Sequence, residues 1–143
     1  MTTLNIPSPA LRQNGPILDV YISQKSLIKE KREQIFTPVN AIIDTGATYS
    51  AIDIRLAEIL KLTTTDKREI LLLPDSYKFH DVYNVDFVFD SDNPKIYPIS
   101  ANGMDLSYLS CENLNLGVII GRDVLSKCIF TYNGLKNKFT IEF

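Results

Sequence analysis

The stretch VNAIIDTGATYSAI, Val39 to Ile52, carries the clearest structural and chemical signal in this chain. An apolar run leads into Asp44, and Thr45 and Gly46 follow at once. An aspartate at the end of an apolar strand costs free energy to bury unless it is hydrogen-bonded or shares a proton. Gly46 allows a close backbone approach. The pattern therefore predicts a strand that ends in a turn carrying a functional carboxylate.

On both sides of this stretch the sequence favours β-structure. Residues 16–23 and 34–44 are predicted strands, and Pro38 implies an edge or a bulge in the second of them. Ser50 is a candidate helix cap, and Asp53 follows three residues later, which predicts a short helix over 51–61.

Two hairpins are predicted further along the chain. Residues 68–74 and 77–89 flank turn-forming residues, and 128–143 contains the hairpin dipeptide Asn133-Gly134. Between them, 116–127 predicts a short apolar strand and a single helical turn. We expect one mostly β domain over residues 15–143, preceded by a flexible N-terminal arm over 1–14.

Composition excludes several function classes. A net charge of −2 indicates no electrostatic binding to nucleic acid or to an anionic membrane. The single histidine, His80, and the cysteines Cys111 and Cys128 lack the spacing of a zinc site, and no glycine-rich phosphate loop is present. We therefore expect no cofactor and no metal. Two cysteines, with no apolar run of the ~20 residues that a membrane helix needs, favour a cytoplasmic location.

A second motif makes the first one specific. AIIDTGA at 41–47 is followed by VIIGRDVL at 118–125, and this pair resembles the retropepsins, the single-lobe aspartic proteases of retroviruses and their cellular and bacterial relatives. The resemblance extends over roughly 16–143 and is closer in style to the bacterial members. It implies an all-β fold, a retropepsin-like closed β-barrel lobe, and an aspartic endopeptidase activity without a cofactor.

The resemblance also assigns roles to residues. Asp44 would be the catalytic aspartate, and Thr45 would hydrogen-bond across a subunit interface. Gly46 would let substrate backbone lie against the loop, and Arg122 would hold that loop in place. The remaining loop-support positions are Ala47, Ile119, Ile120 and Gly121.

This chain departs from the viral pattern at two places. Viral enzymes often carry a second aspartate where this chain has Thr48, so Arg122 needs another partner, with Asp123 or a backbone carbonyl as candidates. The expected flap tip lacks glycines and consists of Leu73, Pro74, Asp75, Ser76 and Tyr77. Leu73, Tyr77 and Ile120 are apolar candidates for the substrate cleft, with core packing as the alternative for each.

One Asp-Thr-Gly in the chain implies two chains in the enzyme. Aspartic protease chemistry needs two carboxylates that share a proton, and the second must come from another copy across a two-fold axis. We therefore expect a homodimer acting on protein or peptide substrates, with residues 138–143 either pairing between subunits or staying within one. Ala47 offers no hydroxyl to the carboxylate, which favours an optimum at mildly acidic pH.

Two other classes share parts of the pattern. The phosphate loop of actin-like ATPases has a similar motif, but those folds need two domains and a much longer chain. The stronger alternative is a retropepsin-like fold that serves as a non-catalytic dimerisation or peptide-binding module.

Overall fold

The computed structural model describes residues 1–25, 33–73, 76–109 and 114–143. The chain is mostly β, as predicted, with a few short helices. The strands are β1 (Thr3–Pro7), β2 (Ile17–Lys25), β3 (Gln34–Ile43), β4 (Ala51–Asp53), β5 (Thr64–Leu73), β6 (Ser76–Val88), β7 (Tyr97–Met104), β8 (Leu116–Ile120), β9 (Ile129–Asn133) and β10 (Lys138–Glu142). The helices are α1 (Leu11–Asn14), α2 (Ile54–Ile59) and α3 (Arg122–Leu125), with 3-10 turns at Ser107–Leu109 and Gly134–Lys136.

The larger sheet closes on itself. Its strand order is β2-β3-β8-β4-β7-β6-β5, and β2 also pairs with β6, where Tyr21 lies opposite Val88. Val85 and Phe87 are buried, as expected from alternation along β6. Val88 is buried as well, because β2 runs beside β6 at this point. The apolar side chains inside this closed sheet form the main core together with residues of the helices and β10, such as Leu11, Phe139 and Ile141.

The predicted break at Pro38 is visible in β3. Pro38 pairs with Tyr21 of β2, whereas pairing with β8 begins only at Asn40. Proline therefore occupies a position with a neighbour on one side only, where its missing N–H does not interrupt a ladder. The register of the β3–β8 pairing shifts between Asn40 and Ala41. Beyond this shift the two strands pair in parallel as far as Ile43 in β3 and Ile120 in β8.

The N-terminal residues differ from the flexible arm that the sequence predicts for 1–14. β1 pairs with β10 along its whole length, and Leu11 in α1 is only 1% exposed. The reason is an alternation that two prolines obscure: Leu4 and Ile6 pack against the core while their neighbours face outward. β10 lies between β1 and β9, so 138–142 is paired on both sides within one chain.

The first predicted helix begins later than expected. Residues 51–53 form β4, which pairs with β8 and β7, and the helix α2 covers only Ile54–Ile59. Asp53 is the residue that caps it, accepting hydrogen bonds from the backbone N–H groups of Arg55 and Leu56. Ser50, the expected cap, is fully buried and bonds elsewhere.

The closing hairpin is confirmed, with a longer turn than Asn133-Gly134 predicts. The turn is the 3-10 segment Gly134–Lys136, capped by the Asn133 side chain, and Asn137 has a left-handed φ of 46°. In the described part of the chain, no helix has the length and apolar character that crossing a bilayer requires.

Candidate active site

Asp44 stands at the end of β3, on a turn held by its own backbone. Its N–H donates to the carbonyl of Ile120 at 3.0 Å, which continues the parallel pairing of β3 with β8 by one residue. The carbonyl of Asp44 accepts from the N–H of Ala47 at 3.2 Å, and its Oδ1 accepts from the N–H of Gly46 at 2.8 Å. The side chain remains exposed, so a carboxylate of fixed position faces solvent at a strand end.

Arg122 holds this turn from the start of α3. Its Nη1 donates to the carbonyls of Thr45 at 2.9 Å and Gly46 at 3.3 Å, and its Nη2 donates to Thr48 Oγ1 at 3.0 Å. Its backbone N–H also donates to the carbonyl of Ala47 at 2.9 Å. Of the two candidate partners named from the sequence, the backbone carbonyl is found, and the Thr48 hydroxyl occupies the place of the missing carboxylate.

Asp123 has a different partner, which the sequence pattern did not indicate. Its carboxylate accepts from the backbone N–H of Ser50 at 3.0 Å and from the Ser50 hydroxyl at 2.7 Å. The same Ser50 oxygen accepts from the N–H of Gly121 at 3.0 Å. This partly buried network joins the far end of the Asp44 loop to the junction between β8 and α3.

Gly121 is required at that junction because the two backbones approach closely. A Cβ on Gly121 would lie 2.7 Å from the carbonyl carbon of Tyr49 and 2.9 Å from the backbone nitrogen of Ser50. Contacts this short involve backbone atoms on the opposing loop, which has little room to move.

The two isoleucines before Gly121 point in opposite directions. Ile120 is fully buried in the main core, whereas Ile119 lines a cavity together with Asp44. Alternation along β8 is the reason. Ile120 therefore belongs to the core rather than the cleft, and Ile119 is the residue of this strand that faces the cavity.

A cavity of about 480 Å³ contains Asp44. Strand β5 of the central hairpin contributes to its wall, and so do the loop after β3 and strand β7. The other lining residues are Gly46, Ala47, Thr48, Tyr49, Ala51, Arg68, Glu69, Asn102, Met104, Tyr108 and Ile119.

The central hairpin predicted from residues 68–74 and 77–89 is present as β5 and β6. Leu73 ends β5 and pairs with Ser76 at the start of β6, and Tyr77 pairs with Leu71. Pro74 and Asp75 lie outside the described residues. Sequence reasoning missed several wall residues, including Tyr49, Arg68 and Asn102. No local signal marks them, because the cavity brings them together from separate strands and a loop.

Comparisons with known proteins support the fold. No protein-family model matches the chain, and no curated protein sequence matches it. Among solved structures, the chain is similar to the crystal structure of a retropepsin-like aspartic protease from Rickettsia conorii, with a TM-score of 0.60 and 15% sequence identity, over 99% of this chain and 91% of that one. At this identity the similarity establishes the architecture, so the mostly β, retropepsin-like fold predicted from the sequence is confirmed.

Proposed function

We propose that the protein is an aspartic endopeptidase in which two copies of the chain each contribute Asp44 to one active site. The observation that carries this proposal is the exposed carboxylate of Asp44, which lines a cavity. The turn that bears it is held by hydrogen bonds from Gly46 and Arg122, and strand β5 of the central hairpin forms part of the cavity wall. One carboxylate acts as base toward a bound water, while the other, protonated, polarises the peptide carbonyl. The water then attacks the carbonyl carbon, and the amine leaves with a proton.

The requirement for a second chain follows from the acids available. Asp-Thr-Gly occurs once in the sequence, and Asp44 and Glu69 are the acidic side chains among the described residues that line the cavity. Glu69 comes from the hairpin strand β5, not from a turn like that of Asp44. Two-fold symmetry supplies an identical carboxylate from a partner copy. Thr45 is exposed beside Asp44, which leaves it accessible to that partner.

The loop residues act by positioning in this mechanism. Arg122 fixes the carbonyls of Thr45 and Gly46, and Gly121 allows the loop to pack on β8. Ile120 anchors the strand behind the turn through its contacts in the core. In the proposed enzyme, an extended peptide lies in the cavity beside strand β5 and adds its main chain to the sheet edges.

The environment of Asp44 favours a rate maximum at mildly acidic pH. Its Oδ1 accepts a backbone N–H from Gly46, but Ala47 brings no hydroxyl to the carboxylate. A maximum below about pH 3, under the value near 3.9 for a free aspartate, would contradict this expectation.

The test is cleavage of a peptide library by the wild-type protein and by Asp44→Asn, followed by mass spectrometry from pH 3 to 7. We expect cleavage by the wild type and none by the variant. If neither protein cleaves while both stay folded dimers, the catalytic proposal fails and a peptide-binding module takes its place.

A further inference from the structure

We propose that Arg68 selects peptides that place an aspartate or glutamate side chain in the Asp44 cavity; this inference rests on the proposed function. Arg68 lies on β5 and lines the same cavity as Asp44. It is the basic side chain among the described lining residues, and it is partly buried. A cation in such a position is well placed to recognise a carboxylate by paired hydrogen bonds.

The guanidinium of Arg68 is held in place by neutral groups. Its Nη1 donates to Asn102 Oδ1 at 2.8 Å and to the carbonyl of Ser100 at 3.2 Å. Its Cζ lies 3.7 Å from the ring centroid of Tyr49, within the range of a cation–π contact. These contacts fix the orientation of the side chain before a ligand arrives, which reduces the entropy lost on binding.

The positive charge of Arg68 has no carboxylate partner in the described part of the chain. Neither Nε nor Nη2 has a hydrogen-bond partner among those residues, and no salt bridge there involves Arg68. Glu69, its neighbour on β5, lines the same cavity, but within the described part of the chain it forms no salt bridge with Arg68. A partly buried cation with unused donors therefore faces a cleft that a peptide is proposed to fill.

The residues that hold Arg68, Asn102 and Tyr49, also connect it to the turn that carries Asp44. Asn102 is only 4% exposed, and its backbone N–H donates to the carbonyl of Ser50 at 3.0 Å. Tyr49, which stacks on Arg68, is the residue before Ser50 in the same loop. The proposed acid-binding group and Asp44 are thus held by one network, so an acidic side chain bound at Arg68 belongs to a residue near the cleaved bond.

The inference is tested with peptide sets that differ only by Glu, Gln or Lys at one position. Binding is measured by fluorescence polarisation in the Asp44→Asn background, which separates recognition from turnover, and cleavage is measured with wild-type protein. We expect a preference for Glu of about tenfold at one position, as for a charged hydrogen bond. Arg68→Met should abolish this preference, and Arg68→Glu should shift it to Lys. Lys67→Met, which changes an exposed charge on the same strand, should leave it intact.

The outcomes separate the two proposals. Cleavage without any preference for acids, or a preference that persists in Arg68→Met, overturns the role of Arg68 and leaves the protease proposal standing. An Arg68-dependent preference in binding without cleavage supports Arg68 and overturns the protease proposal. If the protein neither binds nor cleaves any peptide of the set, both proposals fail.

Discussion

The guanidinium of Arg122 restrains the turn after Asp44 through three neutral acceptors. Two are carbonyls, of Thr45 and Gly46, and the third is the Thr48 hydroxyl. A carboxylate at position 48 would add charge to this contact, but exposed ion pairs contribute little, typically about 0–1 kcal/mol. The Thr48 hydroxyl therefore holds Arg122 in place with little less stabilisation than a carboxylate would give, and because it is neutral this contact does not depend on pH.

Removing the guanidinium of Arg122, and with it the three hydrogen bonds to the turn, should weaken the turn. We expect Arg122→Ala to lower the free energy of unfolding by about 1–2 kcal/mol, because exposed hydrogen bonds contribute modestly. We also expect the rate of peptide cleavage to fall by more than this loss of stability explains. Urea unfolding and peptide cleavage measure the two effects. Lys127→Ala, which removes an exposed charge just beyond α3, is the control. Equal unfolding free energies and equal cleavage rates for the two variants would show that the Arg122 guanidinium does not position the turn.

Asp53 should make stability sensitive to acid. Burial raises the pKa of Asp53, but hydrogen bonds from the Arg55 side chain and from the backbone of Leu106, Leu56 and Arg55 outweigh it, so the net pKa is lowered. The unfolded chain therefore binds this proton more readily than the folded one, and the stabilisation is present above about pH 4 and lost as the pH falls below it.

We expect Asp53→Asn to cost roughly 1–2 kcal/mol at pH 7, because an amide NH2 cannot accept the hydrogen bonds that Oδ2 receives from the Arg55 side chain and the N–H of Leu106. The difference from wild type should shrink as the pH falls below about 4. Urea unfolding at pH 7 and pH 3 measures it, with the exposed Asp86→Asn as control. A difference that is constant with pH would show that the charge of Asp53 contributes nothing.

At the scale of elements, the junction of β8 and α3 depends on close backbone contact. A Cβ on Gly121 would meet backbone atoms of Tyr49 and Ser50, so Gly121→Ala should destabilise by about 1–3 kcal/mol, the usual cost of overpacking. Gly134→Ala is the control, since there the Cβ meets only the ring of Tyr132 at 3.2 Å. Thermal unfolding compares them, and equal melting temperatures would contradict the packing argument.

The strand β1 gives a second prediction at this scale. Leu4 and Ile6 pack against the core but are only partly buried, so replacing both with serine should cost roughly 2–4 kcal/mol, less than the about 1.5–3 kcal/mol per side chain that full burial gives. Replacing their exposed neighbours Thr3 and Asn5 with serine should cost under about 0.5 kcal/mol. Urea unfolding measures both. A flexible arm would make the two double variants indistinguishable.

The features that could be predicted from the sequence are those whose signals lie close together along the chain, and the features that could not are those that depend on pairing between distant segments. Strands with strong alternation, such as β6, and the turn at Asp44 were predictable because their signals are local. The start of α2 was misplaced because β4 exists only through pairing with β7 and β8. β7 itself contains Pro98, Asn102 and Gly103, residues that are depleted in strands, so its contribution to the cavity could not be foreseen.

For the whole molecule, the proposal requires activity to depend on association. Specific activity should fall on dilution below the dimer dissociation constant. An excess of Asp44→Asn protein should suppress wild-type activity by forming mixed dimers with one aspartate. The control is an equal excess of the double variant Asp44→Asn with Thr45→Trp, a bulky change at the expected interface. Activity proportional to enzyme concentration at every dilution, with no suppression, would indicate a site complete within one chain.

The pairing of β1 with β10 also has a consequence for synthesis. The ribosome makes Thr3 long before its partner Glu142, so the three-stranded sheet cannot form until almost all of the described chain has emerged. Until then, Leu4 and Ile6 have no β10 to cover them. Folds dominated by such distant pairings form slowly, in milliseconds to seconds. A nascent chain stalled before β10 would therefore carry a complete Asp44 turn on an unfinished scaffold, and the proposed proteolytic activity would be delayed until translation had passed β10.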